Sequence, residues 1–336
     1  MTDVGPFGLS VRDQALEADV QAGLAAVEEG LFEATKSEVP FITEAAQHLV
    51  RAGGKRFRPL LVMLSAQFGD RYAPGIVPSA VVVELTHLAT LYHDDVMDEA
   101  TVRRGVASAN ARWDNSVAVL TGDFLFARAS HTLADLGPEA VRVQAEAFER
   151  LVTGQILETA GPQDGRDPVE HYLDVLGGKT GSLVAVSCRF GAMMSGADET
   201  TVDVLTQYGE RLGVAFQLAD DVLDIASDSH ESGKTPGTDL REGIPTMPVL
   251  RLRERAARLG LADDIALCEL LDSDLTDDQR HAEALRLLRA HPALDQARKD
   301  TVRYAQDARS ALAPLPECAA KTALVELCDA VVHRAG

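Results

Sequence analysis

The sequence predicts an all-α fold, a large single-domain helical bundle, on three observations. Apolar residues recur at helical spacing in long stretches, strand-like alternation is nearly absent, and Ala, Leu, Val and Arg crowd the chain. The helical stretches run over 11–36, 40–50, 57–69, 78–99, 114–135, 138–159, 169–196, 202–226 and 246–259. Breakers lie between them: Gly53-Gly54, Pro74-Gly75, Gly161-Pro162, the Gly165 to Pro168 segment and the Gly233 to Gly243 segment. Beyond residue 260 the chain is amphipathic and carries no motif, so packing is its expected role.

The 336 residues are read as one domain spanning 1–336, with 1–10 disordered, because no low-complexity linker interrupts the motif-bearing span. Lys and Arg number 32 against 52 Asp and Glu, a formal charge of −20, which argues against a nucleic-acid partner. An anionic small molecule is still compatible, given a local basic cluster or a bridging metal. Cys188, Cys268, Cys318 and Cys328 are far apart, with no CxxC pair, and read as incidental thiols in a reducing compartment. The opening MTDVGPFGLS lacks a basic n-region and an apolar h-region. No run reaches the ~18 uncharged apolar residues of an integral membrane segment, so a cytoplasmic location is expected.

One internal echo carries the chemistry. His-Asp-Asp-Val-Met-Asp at 93–98 is answered by Ala-Asp-Asp-Val-Leu-Asp at 219–224, each near the C-terminal end of a long apolar helical stretch. On a helix Asp94 and Asp98 share a face, as do Asp220 and Asp224. Carboxylates so placed repel one another and oppose the helix dipole, a cost incurred twice. Hard divalent cations remove it, and Mg²⁺ favours one or two carboxylates plus phosphate oxygens and water. A single DDxxD could be a solvated acidic face; two copies in apolar contexts argue against that. Acid–base catalysis by a carboxylate pair needs no such duplicated register.

Basic residues surround these motifs. Gly53-Gly54-Lys55-Arg56-Phe57-Arg58-Pro59 opens a helical stretch, where glycines admit a ligand closely and the helix N-terminus favours anions. His87, seven residues before Asp94, falls on nearly the same helix face, although a lone helical His is more often a core residue. Arg103-Arg104-Gly105 follows the first aspartates, and the Arg fork matches phosphate oxygens. Lys179-Thr180 and Lys234 add donors near the second cluster.

GGKRFRP, HLATLYHDDVMDEATVRRG, GKTGSL, AFQLADDVLD and GKTPGTDLREG, in this order and spacing, resemble the trans-isoprenyl diphosphate synthases over residues 40–250. The resemblance implies a homodimeric, Mg²⁺-dependent, all-helical enzyme with a deep central cavity. Such an enzyme joins isopentenyl diphosphate to an allylic prenyl diphosphate. It assigns Lys55, Arg58, His87 and Arg104 to isopentenyl diphosphate, and Arg103, Lys179, Thr180, Gln217 and Lys234 to the allylic diphosphate. Asp94, Asp98 and Asp220 would ligate bridging Mg²⁺, with Asp95, Asp221 and Asp224 supporting them as catalytic aspartates. One position departs: the family often has Lys directly after the EG of DLxEG, where this chain has Ile244.

The implied chemistry is physically coherent. Cleaving an allylic C–O bond separates charge, so fixed cations at the leaving diphosphate lower the barrier without a covalent intermediate. No Ser/His/Asp or Cys/His arrangement is needed. The growing tail would run beside the helix carrying the first aspartates, past Thr86, Ala89 and Thr90. In the family, bulky aromatics four and five residues before the cluster go with short products. The small Ala89 and Thr90 resemble the long-chain, quinone-side-chain synthases, giving hexaprenyl to decaprenyl products. A floor elsewhere, at Phe124 or Phe126, is the alternative, and with it a geranylgeranyl product. A terpene cyclase would carry an NSE-type second motif, and a non-catalytic regulatory subunit would have lost aspartates or the RRG arginines.

Overall fold

The computed structural model describes residues 13–227 and 236–335. The expected disorder of 1–10, and Lys234, lie outside the described residues. The chain there is all-α, and its helices follow the apolar periodicity closely. The first seven are α1 (Gln14–Ala34), α2 (Pro40–Arg51), α3 (Phe57–Ser65), α4 (Ile76–Met97), the short α5 (Ala109–Arg112), α6 (Asn115–Leu136) and α7 (Pro138–Ala160). Then come α8 (Pro168–Leu176), α9 (Ser182–Met194), α10 (Glu199–Ala226), the short α11 (Thr238–Arg241) and α12 (Met247–Leu259). The motif-free end folds as α13 (Ala262–Leu271), α14 (Asp278–Arg289), α15 (Pro292–Ala311) and α16 (Ala319–Ala335).

Local chemistry sets the boundaries. Asp13, Asp114, Asp167 and Asp277 accept from first-turn amides of α1, α6, α8 and α14, each such cap being worth about 1 kcal/mol. Pro40 and Pro168 occupy first-turn positions, where a missing N–H costs nothing. Gly260 ends α12 at φ +61°, the left-handed conformation glycine adopts without strain.

Two details depart from the sequence reading. The stretch 169–196 is not one helix, because a single π turn at Gly177–Gly181 separates α8 from α9. Helix α7 passes it so tightly that a Cβ on Gly154 would lie 2.6 Å from the Lys179 nitrogen, and one on Gly178 2.9 Å from the Arg150 carbonyl. A hairpin, β1 (Val102–Arg103) with β2 (Val106–Ala107), follows α4, too short for any periodicity to reveal.

The chain groups into two compact units, each assembled from three stretches: Met1–Glu149, Leu183–Gly209 and Ala311–Glu326 form the first, and Arg150–Ser182, Glu210–Ser310 and Leu327–Gly336 the second. In the first unit α4 is the central helix, with Leu85, Leu88, Ala89 and Tyr92 wholly buried. Tyr92 ties it to α2, donating to the Ala45 carbonyl at 2.6 Å. Gly122 of α6 has no room for a Cβ because His93 of α4 fills the space. The second unit packs Val175, Leu212, Val222, Ile225, Leu252 and Leu288, each a buried side chain worth roughly 1.5–3 kcal/mol. Among the described residues no helix is long and apolar enough to cross a membrane.

Candidate functional site

In the first unit the loop before α3 and the turn after α4 build one basic pocket. Gly53, Gly54, Arg56 and Arg104 all have positive φ, so both segments are sharply folded. A Cβ on Gly54 would stand 2.9 Å from Nη1 of Arg104 and 3.0 Å from Nη1 of Arg56, so this glycine makes room for two guanidinium groups. Arg56 is anchored from both sides, by Glu28 of α1 at 2.8 and 2.9 Å and by Glu84 of α4 at 3.0 Å. Arg104 donates to the Leu49 carbonyl at 3.2 Å and to that of Gly53, and lies 3.8 Å from Glu84. Lys55 is exposed on the same loop.

Arg58 is different. Its Nε is sealed from solvent with no hydrogen-bond partner, and burial pushes its guanidinium down to about 10, against partial relief from Glu84. It still carries a full charge at neutral pH. His87 shares this environment: burial, then Arg58, Arg104, Arg103 and Arg56, hold its imidazole well below the ordinary 6.5. It is therefore neutral at pH 7 and offers a donor or an acceptor without adding charge. A poorly neutralised buried cation beside a neutral imidazole is suited to a polyanion.

Two turns along α4 lie the first aspartates. Asp94 is half-buried and Asp98, at the helix end, is exposed. Asp95 points inward with no solvent exposure and accepts from Arg103 Nε at 2.6 Å. Burial raises its pKa while Arg103 opposes the rise. The Asn110 amide donates to the Asp95 carbonyl at 3.0 Å and so closes the turn. Of the three expected tail-lining residues, Thr86 is buried and its hydroxyl accepts from Gln144 at 2.9 Å. Ala89 is fully buried with its carbonyl 3.1 Å from the Cβ position of Gly122, and Thr90 is half-buried. Phe126 stacks in a tilted pair with Phe148, ring centres 4.5 Å apart, and Phe124 is half-buried.

The second unit carries the other cluster near the end of α10. Asp221 is buried; Tyr172 of α8 donates to it at 2.7 Å, and desolvation lifts its carboxyl to about 7 even though that bond opposes the rise. Asp224 accepts from the backbone amides of Thr238 and Asp239 at 3.2 and 3.3 Å, fastening the start of α11. Asp220 is more open and is reached by Arg334 of α16, Nη2 to Oδ1 2.7 Å. The π turn presents Lys179, paired with Glu158 at 2.7 Å, and Thr180, which donates to Gln217 at 3.4 Å. Ile244 is exposed just past α11, its amide donating to the Asp239 carbonyl at 2.8 Å. It borders a cavity of about 890 Å³ whose wall includes Tyr172, Glu158 and Leu250.

Five residues of these sites escaped the sequence reading: Glu28, Glu84, Tyr172, Glu158 and Arg334. Glu84 had a signal, as a lone carboxylate in the apolar run IVPSAVVVELTH, where an unpaired charge would be costly. The others carry none.

The donors can be tested against a divalent cation. Among the described residues no three His, Cys, Asp or Glu side chains converge to chelate an ion alone. What is present is Asp94 with Asp98 in the first unit and Asp220 in the second, as solvent-reachable carboxylates toward the C-terminal ends of their helices; Asp95, Asp221 and Asp224 accept from Arg103, Tyr172 and the α11 backbone. Taken unit by unit, one or two such carboxylates suit a hard cation which keeps waters and takes its remaining ligands from a substrate phosphate. A guanidinium already lies against Asp220, so that carboxylate's surroundings accept positive charge.

An all-helical protein with a buried basic pocket and two acidic helix ends belongs to the class of enzymes that handle diphosphates with divalent metal. The family described as "Polyprenyl synthetase" matches residues 39–288, and the chain belongs to it. It is 47% identical to the nonaprenyl diphosphate synthase of Mycobacterium tuberculosis, over 98% of this chain and 97% of that one. A geranylgeranyl pyrophosphate synthase from Corynebacterium glutamicum, solved with calcium and isoprenyl diphosphate, superposes with TM-score 0.86 at 44% identity, covering 96% of this chain and 98% of that one. A decaprenyl diphosphate synthase from Rhodobacter capsulatus gives TM-score 0.85 at 36% identity, covering 96% and 99%.

Proposed function

We propose that the chain is a trans-prenyltransferase that condenses isopentenyl diphosphate with an allylic prenyl diphosphate and repeats the step to a long-chain all-trans product, hexaprenyl to decaprenyl. The observation that carries this reading is the arginine pocket of the first unit, where Arg58 keeps an unpartnered buried nitrogen beside neutral His87, two turns from Asp94. Arg58, Arg104, His87 and Lys55 bind the isopentenyl diphosphate, with Glu84 and Glu28 fixing the neighbouring Arg56. Lys179, Thr180, Gln217 and Arg103 bind the allylic diphosphate, and Lys234 joins them. Asp94, Asp98 and Asp220 would hold Mg²⁺, which when bound would screen the departing diphosphate's charge. The buried Asp95 orients Arg103, Asp221 is oriented by Tyr172, and Asp224 secures the loop at 237–239. With Ile244 in place of the lysine common in the family, that loop offers one cation fewer.

Small side chains at Ala89 and Thr90, and relatives that make nonaprenyl and decaprenyl diphosphates, support the long product. The likeness to a geranylgeranyl synthase supports the shorter alternative. The two compact units act as one domain, and the protein works in the cytoplasm as a homodimer. Exposed apolar residues on α6 and α7, Leu120 at 65% and Ile156 at 61%, support the dimer. Incubation with farnesyl and isopentenyl diphosphates, then chromatography of the dephosphorylated products, tests the reading. Products of thirty to fifty carbons are expected; arrest at twenty would refute the long-chain assignment, and no condensation would refute the enzyme.

A further inference from the structure

Arg334 sits one residue from the end of α16, 114 positions along the chain from the aspartate it touches. Its Nη2 donates to Asp220 Oδ1 at 2.7 Å, and its Cζ lies 4.7 Å over the Phe216 ring, one helical turn earlier on α10. The guanidinium is thus clamped between a carboxylate and an aromatic face. Its other terminal nitrogen, Nη1, is buried and has no hydrogen-bond partner. An ordinary surface arginine pairs with whatever acid is convenient and leaves its remaining nitrogens in water. Here one nitrogen gives up water for no partner, and the acid engaged is a partly exposed carboxylate of the second cluster. Its neighbours Asp221 and Asp224 are held by Tyr172 and by the α11 backbone.

We propose that Arg334 is a tethered cation of the second acidic site, which competes with a divalent ion for Asp220 and must be displaced when the ion binds there. The inference rests on Asp220 being a metal ligand. A carboxylate in a helix's last turns is unfavourable without a counter-charge. The C-terminal helix supplies that counter-charge from within the chain, which offsets the repulsion within the acidic cluster. Metal and Arg334 then compete for one oxygen set, and the apparent metal affinity is the intrinsic affinity divided by the occupancy factor of the ion pair. An ion pair about a third exposed and reinforced by a cation–π contact gives a factor on the order of fivefold.

The test is Mn²⁺ binding to the full chain in the presence of a non-reactive allylic thiolodiphosphate, read from the free-Mn²⁺ EPR signal. Arg334→Gln should tighten Mn²⁺ binding about fivefold, and Arg334→Lys should stay near wild type. In an Asp220→Asn background, Arg334→Gln should change nothing, because the two act through one carboxylate. Unchanged or weaker Mn²⁺ binding in Arg334→Gln overturns the proposal while leaving Asp220 as a ligand. If Asp220→Asn alone leaves Mn²⁺ binding unaltered, the metal assignment of Asp220 falls, and this inference with it.

Discussion

Replacing Arg58 by methionine should make the protein more stable and a worse enzyme at once. Methionine keeps the apolar stem that fills the pocket and deletes the charge. In the native protein burial lowers the guanidinium from its ordinary value to about 10, partly relieved by Glu84 and worsened by Arg104. A base whose pKa falls on folding destabilises the native state at every pH where it is charged; the cost fades only as pH rises above the folded value. At neutral pH a depression of that size amounts to on the order of 3 kcal/mol. Arg58→Met should therefore raise the melting temperature by a few degrees, read by calorimetry without ligand. A lost charge-assisted hydrogen bond to a diphosphate is worth about 1.5–3 kcal/mol, so KM for isopentenyl diphosphate should rise roughly ten- to a hundredfold. KM for the allylic substrate should move little. A fall in melting temperature would show that the native guanidinium is satisfied by the protein. A change in isopentenyl KM below threefold would remove Arg58 from the diphosphate site.

His87 gives a pH signature. Because its folded pKa lies well below 6.5, the unfolded chain binds the extra proton first as pH falls, so stability should drop below pH 6.5. His87→Gln should flatten that limb of urea-denaturation stability between pH 5 and 7 and keep isopentenyl KM within a few-fold, whereas His87→Ala should raise KM. Chelator should abolish turnover and Mg²⁺ restore it. Asp94→Ala and Asp220→Ala should each lower kcat by several orders of magnitude with unchanged circular dichroism; full activity in chelator would end the metal reading. Thr90→Phe, at a half-buried position on the Asp94 face, should shorten the product to farnesyl or geranylgeranyl diphosphate, seen by chromatography. Ala89→Phe should do so only at an added stability cost of about 1–3 kcal/mol, since Ala89 has no exposed surface. Long products from both variants would move the floor elsewhere.

The helices were legible because an amphipathic helix writes its period into the chain; α4 and α10 fall within a few residues of their expected spans. The aspartate motifs were legible because a carboxylate ladder at a helix end has few uses without a cation. What the second aspartate of each motif does was not legible. Asp95 and Asp221 turn inward to Arg103 and Tyr172, 8 and 49 residues away, and one-dimensional spacing does not encode such pairings. Glu28 with Arg56, and Arg334 with Asp220, are of the same kind, formed only when distant helices pack. The hairpin at 102–107 and the π turn at 177–181 were missed because each is shorter than the stretch over which a period can be read.

The π turn has a consequence for how this gene can drift. A helix normally tolerates substitution far better than the loss of a residue, since a deletion turns everything downstream by about 100°. At Gly177–Gly181 that bias inverts. Losing one glycine there would let α8 and α9 merge into a single regular helix, better hydrogen-bonded than before. The same event would swing Lys179 and Thr180 round the axis, away from Glu158 and Gln217. A selection for thermal robustness alone would favour the deletion, so the surplus residue persists only as long as something is asked of the lysine it displays.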